Sequence, residues 1–200
     1  MCAHYESATP STTSKGYLWD GRVEETSTYV RPTNYAPVLY YRDGEQLLGF
    51  HRWGLVPFWA KPGSEKQFKL TFNARAETLD TLASFKVPFK NRRCLIPAAA
   101  WFEWPQKQKS RVSAADGGPL MLAGLWDVWD RDPERGPLYS YTMVMTEPTP
   151  ELAWIHHRTP VVLDEAGQRV WMDPAADLGT CKALLGRGPQ EEEVRVERVE

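Results

Sequence analysis

The sequence predicts an α+β domain built on a curved antiparallel sheet. Apolar runs of strand length alternate with turn signals along most of the chain. Helix-compatible stretches are short and scattered among them. Nine tryptophans and sixteen prolines suit strands and loops better than a helical bundle. Runs of strands with interspersed short helices belong to the α+β class. Two hundred residues fit one domain with a sizeable core. We place that domain at residues 1–186, with a charged tail at 187–200.

The elements follow in order. Residues 6–15, rich in Ser and Thr, read as loop. Val38–Arg42 and Gln46–Trp53 are β-rich runs flanking Asp43-Gly44, a hairpin signal. Arg75–Phe85 has helical composition and spacing. Arg93–Trp104 begins as an apolar strand and is expected to enter a tight Ala-rich turn. Gln106–Pro119, with Gly117-Gly118, reads as loop. Leu120–Trp129 and Tyr139–Thr146 read as strands. Thr149-Pro150-Glu151 has the order of N-cap, first-turn proline and first-turn acid, predicting a short helix that ends near His156. Val161–Leu163 and Arg169–Met172 are expected as short strands. Asp173-Pro174 opens a helix that Gly186 stops. Val194 and Val196 alternate with charges, which fits either an edge strand or a frayed tail.

Composition narrows the function classes. No apolar run approaches the roughly 18 residues of a membrane span, and the amino terminus has no apolar signal core. Cys2, Cys94 and Cys181 are odd in number and widely spaced, which fits neither a disulfide framework nor a zinc site. A reducing cytoplasm is the expected setting, next to the nucleoid if the source is bacterial. The net charge of −2 hides an asymmetry: residues 60–111 carry +7 and residues 112–200 carry −8. A basic middle third is a candidate polyanion face, or a surface balanced in space by the acidic third.

Cys2 carries the most specific chemistry. Once Met1 is removed, it presents an α-amine and a thiol on adjacent carbons. Their ordinary pKa values, about 8 and about 8.5, leave both partly reactive near neutrality. A 1,2-aminothiol condenses with an aldehyde to an imine, and the thiol then closes a thiazolidine ring. The alternative is a cysteine that follows the start codon by accident. The other candidates also have two readings. Asn73, ahead of Arg75, is a helix cap or a ligand contact, with Arg75 as a phosphate fork. Glu103, among Trp101, Phe102 and Trp104, is a desolvated proton carrier or an exposed strand-end acid. His156 and His157 are one core and one exposed histidine, or one of them is an acid/base near neutrality. Trp53 and Trp59 are core, or an exposed tryptophan beside Lys61, Lys66 and Lys69 stacks on an unpaired base. No metal-site spacing, phosphate loop or dinucleotide fingerprint is present, so no cofactor is expected.

Taken in order, these segments resemble the SRAP family (SOS-response-associated peptidase). The resemblance rests on Met1-Cys2, Asn34-Tyr35-Ala36-Pro37, Trp53-Gly54-Leu55-Val56-Pro57 followed by Trp59, and Asn73-Ala74-Arg75-Ala76-Glu77-Thr78. It continues through Arg93-Cys94-Leu95-Ile96-Pro97 with Phe102-Glu103-Trp104, then Ala123-Gly124-Leu125-Trp126, and His156-x-Arg158-x-Pro160. The resemblance implies a barrel-like, mainly antiparallel sheet with a few short helices and a basic groove for single-stranded DNA. It implies covalent capture of abasic sites through Cys2, with AP-lyase side activity and peptidase-like release of Met1. Cys2, Asn73, Glu103 and His156 would be the catalytic set, and Arg75, His4, Asn34, Trp53 and Arg158 the DNA contacts. The partner would be single-stranded DNA holding abasic sites, bound by a monomer. The family Gly-Arg after the cysteine is Ala3-His4 here, and Thr159 replaces a methionine. An N-terminal-nucleophile cysteine hydrolase and a non-catalytic single-stranded DNA-binding module are the competing readings.

Overall fold

The computed structural model describes residues 2–8, 16–22, 26–63, 71–134, 136–186 and 188–199. Its strands are β1 (Tyr5–Ser7), β2 (Leu18–Trp19), β3 (Tyr29–Val30), β4 (Tyr35–Arg42), β5 (Glu45–Trp53) and β6 (Asn73–Arg75). They continue as β7 (Arg93–Glu103), β8 (Ser110–Ala114), β9 (Leu120–Trp129), β10 (Leu138–Thr146), β11 (Thr159–Pro160) and β12 (Val194–Arg198). The helices are α1 (Ala83–Asn91), α2 (Glu165–Met172) and α3 (Leu178–Ala183).

Five strands close a barrel. β5 pairs β4, β4 pairs β7, β7 pairs β9 and β9 pairs β10, all antiparallel. A short parallel contact of β10 with β5, Ser140 to Arg52 and Tyr141 to Trp53, closes the ring. Strand periodicity sorts the side chains into two clusters. Val38, Tyr40, Ile96, Leu122, Trp126, Tyr141 and Met143 fill the interior. Leu39, Leu95, Leu125 and Val144 face outward beneath Phe85 and Phe89 of α1 and Trp171 and Met172 of α2. Gly124 is required by close packing: a Cβ there would stand 2.8 Å from Ile96 Cδ1 and 2.9 Å from Cys94 Sγ. This is the expected α+β, barrel-like, mainly antiparallel architecture.

The hairpin at Asp43-Gly44 forms as predicted, with Arg42 opposite Glu45 and both turn residues at positive φ. Other expectations need correction. Asn73–Arg75 is held extended by pairing with β10, so a single 3-10 turn (Ala76–Thr78) follows and the helix starts only at Ala83. The strand expected to turn at Ala98–Ala100 runs on to Glu103, because β1 pairs one of its edges and β8 the other. Ser110–Ala114, read as loop, is β8, sandwiched between β7 and β12. Glu6 and Ser7 lie in β1, and residues 9–15 fall outside the described residues.

The segment after Thr149 makes isolated i→i+3 turns rather than a helix. Leu152 N–H bonds Thr149 O and Ile155 N–H bonds Leu152 O, each at 3.0 Å. Arg169–Met172 is helical, not a strand, because Asp164 caps α2 by accepting from Gly167 N–H at 2.7 Å. The last helix starts after Asp177, which caps Thr180 N–H, rather than at Asp173-Pro174. Of the two alternatives for Val194 and Val196, the edge strand forms, as β12. Among the described residues no helix is long and apolar enough to cross a membrane.

Candidate functional site

The amino terminus runs along the far half of β7, past the end of the barrel. β1 pairs Tyr5 with Trp101, and Phe102 N–H donates to His4 O at 2.9 Å. This pairing draws Cys2 into the core, where it is 0 % exposed. Its thiol donates to His4 O at 3.5 Å. Burial and then the negative charge of Glu103 push that thiol up to about 12.

Asn73 reaches Cys2 from the other side. It lies at the start of β6, and its Nδ2 donates to Cys2 O at 2.6 Å. The helix-cap alternative therefore fails, since this side chain serves the amino terminus. Asn73 Oδ1 is buried and has no hydrogen-bond partner among the described residues.

Glu103 ends β7 and is 4 % exposed. Trp101 and Phe102 precede it as buried strand residues, while Trp104 turns outward at 47 % exposure. Burial raises the Glu103 carboxyl to about 7, against the pull of the positive chain terminus. Its Oε1 has no hydrogen-bond partner among the described residues. Glu103 and His156 line one narrow cavity with Trp101, Pro148, Leu152, Ile155, Arg158 and Thr159. Its volume is about 10 Å³, near the minimum for one water molecule.

His156 is half-buried and stacks on exposed His157, ring centroids 4.2 Å apart. Arg158 N–H donates to His156 Nδ1 at 3.0 Å. Arg158 O lies 3.2 Å from the same Nδ1, which donates to that carbonyl in the other tautomer. Burial, the chain terminus and His157 lower its pKa below the usual histidine value, so the neutral form prevails at pH 7.

The residues read as DNA contacts separate. Arg75 is exposed at the end of β6, and Arg158 forms an ion pair with Glu77. His4 is 8 % exposed, with Phe102 at 4.6 Å and Trp104 and Tyr29 at about 6 Å. Burial, then Arg31 and Lys109, hold its pKa below the usual value. Asn34 closes the turn before β4, accepting from Arg31 N–H at 2.9 Å. Trp53 is a correction. It is 0 % exposed, its indole donates to Phe72 O at 2.7 Å, and its ring meets Tyr5 and Phe72 edge-on, so no face is open to a base. Trp59 is 41 % exposed beside α1, while Lys66 and Lys69 lie outside the described residues. Sequence reasoning missed Glu77 as the partner of Arg158, although Glu77 stands in the Asn73–Thr78 block.

The sequence pattern of the family described as SOS response associated peptidase (SRAP) matches residues 1–200. This chain belongs to that family. It is 35 % identical over 155 residues to a Saccharomyces cerevisiae protein, abasic site processing protein YMR114C, a match covering 74 % of this chain and 40 % of that one. To abasic site processing protein YoqW of Bacillus subtilis it is 39 % identical over 132 residues, 64 % of this chain and 58 % of that one. The chain therefore spans about half the length of these relatives. Its fold is that of a Bacteroides thetaiotaomicron protein of known structure, with TM-score 0.88 at 21 % identity over 100 % of this chain and 92 % of that one. A Bordetella bronchiseptica protein matches with TM-score 0.85 at 24 % identity over 100 % of both chains. The SRAP barrel thus brings Cys2, Asn73, Glu103 and His156 to one end of the fold, from four separate segments.

Proposed function

We propose that this SRAP chain, once Met1 is removed, captures abasic sites in single-stranded DNA by forming a thiazolidine at Cys2. One arrangement supports this reading most: Asn73 grips the Cys2 carbonyl while the charge of Glu103 reaches the Cys2 thiol. Glu103 in turn shares its cavity with His156. The names of the relatives, abasic site processing proteins, support the substrate class. Met1 itself lies outside the described residues.

The ring-opened sugar offers an aldehyde at C1′. The neutral Cys2 amine adds to that carbon, giving a carbinolamine. The protonated Glu103 carboxyl, which shares its cavity with His156, protonates the departing hydroxyl, water leaves, and an iminium forms. The Cys2 sulfur attacks the same carbon, and its proton passes to Glu103 carboxylate. Asn73 keeps amine and sulfur oriented, so positioning supplies much of the acceleration. Arg75 and Arg158 hold flanking phosphates, with His4 and Asn34 beside the strand. If the ring fails to close, the iminium acidifies the C2′ proton and β-elimination breaks the strand, which is the lyase outcome. The same constellation acting on the Met1–Cys2 bond would give peptidase-like self-processing.

The test incubates Met1-free protein with an oligonucleotide that contains an abasic site. The expected result is a denaturation-resistant adduct that is absent in Cys2→Ala. An adduct that persists in Cys2→Ala sinks the mechanism. Absence of any adduct, with hydrolysis of small amides instead, favours the hydrolase. Salt-sensitive binding to intact strands, indifferent to Cys2→Ala, favours a binding module.

A further inference from the structure

Glu77 lies between the two arginines proposed as phosphate contacts. It sits in the 3-10 turn that follows β6, two residues after Arg75, and its Oε1 accepts from Arg158 Nη1. Burial raises the Glu77 carboxyl, but the hydrogen bond from Arg158 and the charges of Arg158 and Arg75 bring it below the usual value. Arg158 also fixes the imidazole, through its backbone N–H on His156 Nδ1. One carboxylate therefore ties the strand that carries Asn73 to the turn that carries His156.

We propose that Glu77 is a positioning residue of the capture site, clasping the His156–Arg158 turn to the Asn73 strand. The proposal rests on the capture reading above. Stability alone is a poor explanation for this pair. Glu77 is 47 % exposed, and half-exposed ion pairs contribute little to folding. A carboxylate beside a phosphate site also repels the strand it helps to receive. A purely structural residue predicts that binding and rate fall together. A clasp predicts that they move in opposite directions.

The test uses Glu77→Gln in the full, Met1-free chain. An intact single-stranded oligonucleotide reads non-covalent affinity, and an abasic oligonucleotide under single-turnover conditions reads capture. Removing the charge should tighten binding of the intact strand by about two- to fivefold, the scale of one exposed ion pair. The saturated capture rate should fall by about ten- to a hundredfold, because His156 is no longer held in register. Arg158→Lys should slow capture similarly, and the double variant should be no slower than the worse single one. An unchanged saturated rate overturns the proposal, as does an additive double variant. Weaker binding, slower capture and a lowered melting temperature together also overturn it, in favour of a structural role. If the unsubstituted protein forms no adduct, the capture reading falls and takes this one with it. If it forms the adduct and Glu77→Gln matches its rate, only the clasp falls.

Discussion

Exchanging Glu103 for glutamine keeps the side chain's shape and removes a charge that the fold holds at a cost. The carboxyl is 4 % exposed, and burial lifts it from an ordinary 4.5 to about 7. The folded chain therefore binds this proton more tightly than the unfolded chain does. The stability linked to it is fully present below pH 4.5 and is lost as pH rises through 7. That interval corresponds to about 3 kcal/mol. Thermal melts of the unsubstituted chain and of Glu103→Gln, run from pH 4.5 to 8, separate this effect from packing changes, which are the same at every pH. Relative to the variant, the unsubstituted chain should lose about 6–12 °C in melting temperature across that range. The variant should be the more stable protein at pH 8 and the slower one in capture, a trade between stability and function. Parallel melting curves would refute the reasoning, because the Glu103 carboxyl would then titrate alike in the folded and unfolded chains.

Two further substitutions probe the same end of the barrel. Asn73→Ala removes the 2.6 Å hydrogen bond to Cys2 O, leaving that buried carbonyl short of a donor; a loss of about 1–3 kcal/mol in chemical denaturation is expected, with slower capture at saturating DNA. Thr159→Met restores the family residue at a position where Thr159 Cγ2 lies only 2.6 Å from where a Gly188 Cβ would stand. The longer side chain should overpack the segment behind the His156 turn by about 1–3 kcal/mol, read as a lower melting temperature.

The sequence carried some of this fold plainly, and the reasons differ by element. The β4–β5 hairpin was legible because its turn chemistry is local to Asp43-Gly44. β9 and β10 were legible as long apolar runs bounded by Pro and Gly. The continuation of β7 through Ala98–Ala100 was not, since alanine has little strand preference and the partners that hold it extended, β1 and β8, are supplied by distant segments. α2 was read as strand because Arg169–Met172 is too short for its period to decide, and the deciding signal was the Asp164 cap. At the site, Cys2, Asn73, Glu103 and His156 were named from the order of their blocks. The bond that joins Asn73 to Cys2 was not visible, because an asparagine ahead of a helical pattern reads equally as a cap. Trp53 was misplaced for a related reason: an aromatic-rich block does not say which ring faces inward, and the carbonyl of Phe72 settles it.

The protonation pattern of the site also orders the proposed steps. With its thiol pushed up to about 12, Cys2 holds almost no thiolate at neutral pH before substrate arrives. In the proposed order the terminal amine, in its neutral form, adds to the aldehyde first. Loss of water then places a positive iminium on the carbon next to the sulfur. That cation favours the thiolate, reversing the influence of the Glu103 charge. Glu103, near 7, is poised to accept the thiol proton at that moment. In the proposed mechanism, the burial that suppresses the free thiolate would couple its formation to the iminium, so that ring closure would follow the event that otherwise starts strand cleavage.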